Sequence, residues 1–417
     1  MPNALIPRAA ATPVPAHRDA NVLRWVAAYT ASMLGDTVFF LALSWAAVQN
    51  GTPAQAGLVT AVSAVPRALL MLGGGVIADR LGPRRVVIGS DAVRCVTVLA
   101  VAAVLFATDP GLWLLALLAV VFGTVDAVFM PAVGALPARI TAKDQLARVQ
   151  GMRGLAVRFA AVVGAPLGGL GVAAGGSAAA FALAGALIAV SVPLLVSVRM
   201  RDLPPADAPA ADRDTTAWRD LRAGLRHIRH HRVLGPLMVV IALGDLGFVG
   251  PLNVGLTLLA DERGWGASGM GWVLAGFGTG AGTAALLLTV RGRVPHAGLV
   301  AAGAIIPGAA AIAGLAYVPG LPGAVGVAVL VGLLTGLSGA VCGALLQTQA
   351  APTYLGRVTA AAGIVSLGIA PLGMPLSAAA IGLWGTGPVF AVSAAVCALG
   401  GVVALCAPDL RRAELPR

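Results

Sequence analysis

Twelve separate runs of this chain are each long and apolar enough to cross a lipid bilayer, and no other feature restricts the fold as severely. They cover residues 25–49, 54–78, 86–107, 112–137, 149–173, 177–198, 233–259, 267–290, 297–317, 322–349, 358–383 and 385–407. A spanning helix needs about 20 apolar residues. With 58% hydrophobic residues, 11% charged residues and a mean hydropathy of +0.90, the 417-residue chain has more apolar surface than a water-soluble core can hide. We therefore expect an all-α membrane protein of twelve transmembrane helices. The 55 glycines fit that environment, because small residues let membrane helices approach closely.

Charge placement sets the expected orientation. Alternate connections carry Arg80, Arg84, Arg85, Arg139, Lys143, Arg148, Arg199, Arg201, Arg291, Arg293 and Arg357, with Arg411, Arg412, the N-terminal arginines and the 213–232 segment on the same side. The other side holds Arg263 alone. Basic loops stay in the cytoplasm, so both termini are expected there. The net charge of +11 thus reports orientation and contact with anionic lipid headgroups, and nucleic acid is not an expected partner. Cys95, Cys342, Cys397 and Cys406 lie inside apolar runs without CxxC spacing, which implies neither a disulfide framework nor a metal site. Residues 1–20 have no apolar core and so no cleavable signal peptide is expected. Trp45, Trp113, Trp265 and Trp384 fall at outer helix ends, as a headgroup belt requires. Trp272 is deeper; it is a weak candidate for a substrate cavity, and lipid or helix packing accounts for it better.

The chain divides into an N-terminal tail (1–20), a six-helix bundle (21–198), a polar connection (199–232), a second six-helix bundle (233–407) and a C-terminal tail (408–417). The connection opens with the Pro/Asp-rich "RDLPPADAPAADRD" and continues as an amphipathic helix. Trp218, Leu221, Leu225 and Ile228 share one face of it, and Arg219, Arg222, Arg226 and Arg229 another. Its "HIRHH" cluster lacks the Cys or carboxylate that would complete a metal-ligand set. The halves echo each other: Leu34-Gly35-Asp36 matches Leu243-Gly244-Asp245, and "ADRLGPRR" after the second helix has a reduced counterpart, "RGRVPH", after the eighth. Related halves with a ligand site between them are a transporter plan.

Residues 75–85, "GVIADRLGPRR", carry Gly75, Asp79, Arg80, Gly82, Arg84 and Arg85 in a short loop between the second and third helices. This motif resembles that of the major facilitator superfamily. Gly82 would turn the loop, and Asp79 could hold a helix N-terminus or an arginine and so lock one conformation. Asp91 and Arg94 in "GSDAVRCVTVLA" follow one turn apart at the start of the third helix, and we group them with this gate. With "FMPAVGALPARI", "WRDLRAGLRHIRHHRVL" and "YLGRV", they make the chain similar to the macrolide-efflux and enterobactin-exporter branch. In the fifth helix, "VVGAPLGG" is similar to the antiporter signature through Gly164, Pro166, Gly168 and Gly169, although Ala165 separates Gly164 from Pro166.

Five charges lie deep in apolar runs. At ~1.5 Å per residue from the nearest basic boundary, Asp36, Arg67, Asp126, Arg158 and Asp245 fall within about 5 Å of a common level near the midplane. Each would cost about 2.5–3.5 kcal/mol facing lipid, so they must face one another or a wet cavity. Consecutive helices suggest pairing Asp36 with Arg67, and Asp126 with Arg158. Such pairs could be purely structural, or could open during a conformational change and release a carboxylate to carry a proton. Asp245 has no apparent cation in its own half and is a candidate proton carrier by burial alone.

The expected function is proton-driven export of small amphipathic molecules by alternating access, from a bacterial cytoplasmic membrane. A small-molecule substrate, protons and lipid would be the partners, the protein would act as a monomer, and the proton gradient would replace any cofactor. An importer or facilitator of the same fold is the alternative. An intramembrane aspartyl protease built on Asp36 and Asp245 is a remote one, because Met33 and Ala242 occupy the first-glycine positions of the GxGD motif such enzymes need. No phosphate loop, HExxH or nucleophile elbow is present, which gives ATP-driven transport and hydrolysis no support.

Overall fold

A computed structural model of the protein describes residues 15, 17–108, 111–141, 145–200, 225–291, 296–350 and 354–414. The Pro/Asp-rich connection and the expected faces at Trp218, Leu221, Arg219 and Arg222 lie outside the described residues. Within them every regular element is helical.

The first half comprises α1 (Ala20–Asn50), α2 (Pro53–Val62 and Ala64–Leu81), α3 (Pro83–Ala107), α4 (Leu112–Ile140), α5 (146–174) and α6 (177–197). The second comprises α7 (Leu234–Gly250, a π turn at Pro251–Gly255, then Leu256–Glu262), α8 (Gly266–Arg291), α9 (Ala297–Tyr317), α10 (Leu321–Gln349), α11 (Leu355–Trp384) and α12 (Thr386–Cys406), followed by the short α13 (Pro408–Arg411). Among the described residues nine helical runs are long and apolar enough to cross a membrane, and one of these, Arg148–Ser197, supplies both α5 and α6. Gly175 and Gly176 leave helical geometry there, with Gly176 at φ 69°. A Cβ on Gly171 would sit 3.2 Å from the Cα of Ala180, whereas nine residues of continuous helix would separate them by ~13 Å. The run is therefore a hairpin.

Local chemistry explains the other interruptions. Pro66 lacks an N–H and crowds the carbonyl four residues earlier, that of Val62, where the first segment of α2 stops. Pro251 does the same in α7, and the chain relaxes into a π turn. Thr52 and Gln55 exchange side-chain and backbone hydrogen bonds in a capping box that starts α2. Gly82 links α2 to α3 in a single residue at φ 84°, a conformation that disfavours any residue with a Cβ. Arg263, the exception to the charge asymmetry, donates to the carbonyl of Ala316 at 2.5 Å near the end of α9.

The buried side chains show how the halves meet. At the end remote from the termini, one cluster joins Val38, Phe39, Leu115 and Phe181 to Val254, Leu258, Ala378 and Ile381. A second joins Leu41 and Ala165 to Leu256, Met270 and Phe390. At the end bearing the termini the clusters stay within their own halves: Trp25, Val86, Leu136 and Leu195 in the first, and Leu237, Ala301, Leu345 and Val358 in the second. Close backbone contacts follow the same division. A Cβ on Gly169 of α5 would lie 2.5 Å from the carbonyl oxygen of Ala267, and one on Gly271 of α8 would lie 2.5 Å from that of Ala165. A Cβ on Gly57 of α2 would meet Ala378 of α11 at 2.5 Å. Ser44 and Thr257 share a hydrogen bond of 2.6 Å across the same seam, and Gln49 donates to Asp261 at 2.7 Å. The halves are sealed at the remote end and separately packed at the terminal end.

Candidate functional site

Three of the five deep charges, Asp36, Arg67 and Asp126, join a network whose centre is Arg94, a residue the sequence places with the loop motif. Pro83 starts α3, so Arg94 lies eleven residues into the helix, about 16 Å along its axis. Its side chain is fully buried. One terminal nitrogen, Nη1, donates to both oxygens of Asp36 at 2.9 Å and to Oδ1 of Asp126 at 3.3 Å. The other, Nη2, meets Ser32 Oγ at 3.1 Å and forms a close ion pair with Asp91. The guanidinium carbon stands 3.9 Å from the centroid of Phe129, a cation–π contact in a site withdrawn from water.

Asp91 is the best satisfied of the three carboxylates. Its Oδ1 accepts from Arg94 and, at 3.1 Å, from Ser32, while Oδ2 accepts from Ser191 of α6. Asp36 and Asp126 instead share the single Nη1 of Arg94. Asp126 has a second cation, Arg67, at 3.6 Å. Four helices of the first half, α1, α3, α4 and α6, thus meet at Arg94 or its counter-ion, and α2 joins through Arg67.

Several sequence expectations need correction. Arg67 pairs with Asp126, and Asp36 pairs with Arg94. Helix spacing gives depth but not which way each face turns, so the shared level of Asp36 and Arg67 did not bring them into contact. The expected Asp126–Arg158 pair is absent, and Arg158 has no ion-pair partner among the described residues. Asp91 and Arg94 belong to this buried network and not to the loop between α2 and α3. Their depth was readable by counting from Arg85, nine residues before Arg94.

A cavity of about 540 Å³ lies mainly within the second half. Asp245 of α7 lines it, accepting a 2.5 Å hydrogen bond from Ser366 of α11. Arg158 of α5 lines it from the first half. Phe248, Phe277, Ile305 and Ile312 make much of the wall apolar, and the buried free thiols of Cys342 and Cys397 contribute to it. The lining continues toward the terminal end at Leu346 and Thr359. Trp272 does not line this cavity: it is half exposed, because Gly271 beside it takes the face of α8 that packs on α5.

At the loop motif, Arg84 donates to the carbonyl of Val196 near the end of α6 at 2.6 Å, and Arg80 and Arg85 are exposed. Gly75 and Asp79 are helical, and the surroundings of both lie outside what the structure describes. In α5, Gly164 packs on Thr37 and Gly168 on Val38 of α1, whereas Gly169 faces the other half. Pro166 lies between them in a continuous helical run. In the connection, His227 stacks on Tyr354 with centroids 4.4 Å apart. His231 Nδ1 accepts the N–H groups of Val233 and Leu234 at 3.2 Å, holding the start of α7. Burial and the neighbouring His227 push the His231 imidazole below its ordinary value, which favours the neutral form this acceptor role requires. No group of three or more potential metal ligands occurs among the described residues.

The sequence model of the Major Facilitator Superfamily matches residues 25–370. None of the curated proteins matches the chain. Among solved structures, the chain is similar to a bacterial homologue of the human lysosomal transporter Spinster in an inward-facing and unoccupied conformation, with 16% identity, 95% of this chain and 96% of that one covered, and a TM-score of 0.65. The nucleoside transporter NupG is similar at 14% identity, with 93% and 98% covered and a TM-score of 0.68. A POT family transporter in complex with 5-aminolevulinic acid is similar at 12% identity, with 95% and 99% covered and a TM-score of 0.70. At these identities the likeness is one of fold.

Proposed function

The chain belongs to the Major Facilitator Superfamily, as a multi-pass membrane transporter and not an enzyme, and on that premise we propose that it is a proton-coupled exporter of small amphipathic molecules. The observation that carries this proposal is the charge count around Arg94. Three carboxylates, Asp36, Asp91 and Asp126, surround two guanidiniums, Arg94 and Arg67. In a low-dielectric site an uncompensated charge is costly, so the cluster has room for one proton. Asp91 is fully bonded, and the exchangeable proton therefore belongs to Asp36 and Asp126, which compete for one nitrogen. A proton on either frees Arg94 to hold the other more closely. Because Arg94 ties α1, α3, α4 and α6 together, loading and unloading would bias the packing of the first half as a unit.

The division between a sealed end and a separately packed end supports alternating access. With the termini in the cytoplasm, as the basic loops favour, this is the state open inward. We place the protein in a bacterial cytoplasmic membrane, working as a monomer on a small-molecule substrate and drawing on the proton gradient without a cofactor. The aspartyl-protease alternative loses its dyad, since Asp36 is engaged by Arg94 and Asp245 by Ser366.

A growth-inhibition panel in an efflux-deficient host, with and without the protein, identifies a transported compound. Inside-out vesicles then test coupling and direction together. Export predicts accumulation of that compound when the vesicle lumen is acidified, and Asp36→Asn should abolish accumulation while leaving downhill flux. Uptake driven the opposite way would indicate import, and accumulation that ignores the pH gradient would remove proton coupling.

A further inference from the structure

The cavity of the second half has a charge arrangement that the proton network does not use. Asp245 and Arg158 both line it, from opposite halves of the molecule, and they are not bonded to each other. Among the described residues Asp245 has only the Ser366 hydroxyl as a polar partner, and Arg158 has no ion-pair partner. Both stand in a wall built largely of Phe248, Phe277 and aliphatic side chains. Asp245 is half-buried and Arg158 is exposed, so water hydrates both while the cavity is open; closing it without a ligand would strip that water from a lone carboxylate and a lone guanidinium. The space they line is large enough for a drug-sized molecule.

From this geometry we infer that the cavity binds zwitterionic amphiphiles: molecules with a protonated amine for Asp245, an anionic group for Arg158, and an apolar body. This deepens the export proposal and rests on it only for the direction of movement. A ligand that satisfied Asp245 alone would leave the guanidinium uncompensated; one that satisfied Arg158 alone would leave the carboxylate so. A zwitterion satisfies both. Since the two charges sit on different halves, it would also bridge the halves on the side where their cores are separate. Bound substrate would then favour closure of that side through contacts that a plain cation lacks.

Three fluorescent isosteres separate these contributions. Nα-dansyl-lysine carries an amine and a carboxylate, dansylcadaverine lacks the carboxylate, and dansyl-norleucine lacks the amine. Their emission on binding is measured at equilibrium, at neutral pH, with the full-length protein in detergent and no ion gradient. We expect dansyl-lysine to bind about tenfold or more tightly than either relative, since each charge-assisted contact contributes roughly that much. Arg158→Gln should reduce dansyl-lysine to the level of dansylcadaverine without changing dansylcadaverine. Asp245→Asn should reduce it to the level of dansyl-norleucine without changing dansyl-norleucine. Equal binding of dansyl-lysine and dansylcadaverine overturns the proposal, as does equal weakening of all three probes by both variants or no saturable binding of dansyl-lysine to folded protein. Displacement by short-chain phosphatidylcholine at concentrations where free zwitterions fail would assign the charges to a lipid headgroup, which also overturns it. Because no gradient is applied, loss of proton coupling in vesicles would leave these results standing, and proton-driven export of plain cations would sink this inference alone.

Discussion

Replacing Arg94 by methionine keeps an unbranched, flexible stem and removes the guanidinium charge at the hub of the buried network. The folded variant then holds three carboxylates beside one guanidinium, Arg67, so neutrality requires one more proton than in the parent protein. Placing a proton on a carboxyl at pH 7, from an ordinary value near 3.9, costs about 4 kcal/mol. That agrees with the ~3–5 kcal/mol typical of breaking a buried ion pair. Loss of the contact with Phe129, 3.9 Å away, adds roughly 1–2 kcal/mol. We expect a deficit of about 5–6 kcal/mol at pH 7. The sign of its pH dependence follows from proton counts: the folded variant binds one more proton than the folded parent, and neither unfolded chain keeps such protons at neutral pH. Stability lost to the substitution is therefore recovered as pH falls, by about 1.4 kcal/mol per unit between roughly pH 7 and pH 4. Below that the unfolded carboxyls are protonated too and the recovery ends. Thermal unfolding in detergent, followed by tryptophan emission across this range, reads both the deficit and its slope relative to the parent. Arg94→Lys, which keeps the charge and loses the fork, should fall between them without the extra slope. A methionine variant that melts like the parent at pH 7, or runs parallel to it across the pH range, would refute the reasoning.

Three further outcomes test the remaining geometry. In a background with the four native cysteines replaced, Ser44→Cys with Thr257→Cys should form a disulfide readily, because the two hydroxyls are 2.6 Å apart, and the cross-link should arrest turnover until reduced; unimpaired transport by cross-linked protein would contradict a moving seam. Gly169→Ala places a Cβ about 2.5 Å from a backbone oxygen of α8, so it should slow that cross-linking severalfold by opening the seam, and an unchanged rate counts against the contact. Gly82→Ala must hold φ near 84°, which costs about 1–3 kcal/mol, and a lowered unfolding midpoint at equal expression is the expected reading. An unchanged midpoint would mean the turn is remade.

The helices and their approximate ends were legible because lipid imposes a length and a polarity that few other settings demand. Helical rise also converts residue counts into depth, and Asp36, Arg67 and Asp126, counted to one level, do gather in one network. Their partners were not legible. Asp36 and Arg67 share a depth on consecutive helices, yet rotation about each axis turns Arg67 to α4 and Asp36 to α3. Arg94 was missed as a hub because Asp91, three residues earlier, tied it to the neighbouring loop motif, although Pro83 already marks where α3 begins. The cavity was beyond reach of the sequence, since Arg158 and Asp245 meet the same space only after two bundles pack.

The glycine seam at the sealed end also limits how this protein can change over generations. At Gly57 the nearest obstacle to a larger residue is the methyl group of Ala378, which a change to glycine would remove, leaving the Cα of Pro375 at 3.0 Å and the Met374 carbonyl oxygen at 3.2 Å for a small shift to absorb. Gly169 and Gly271 have no such relief. What faces them is backbone, the carbonyls of Ala267 and Ala165, which no substitution at those positions can remove. The α2–α11 side of the seam can therefore be relaxed by a paired mutation with a shift of a few tenths of an ångström, while the α5–α8 side can change only if the helices themselves move apart.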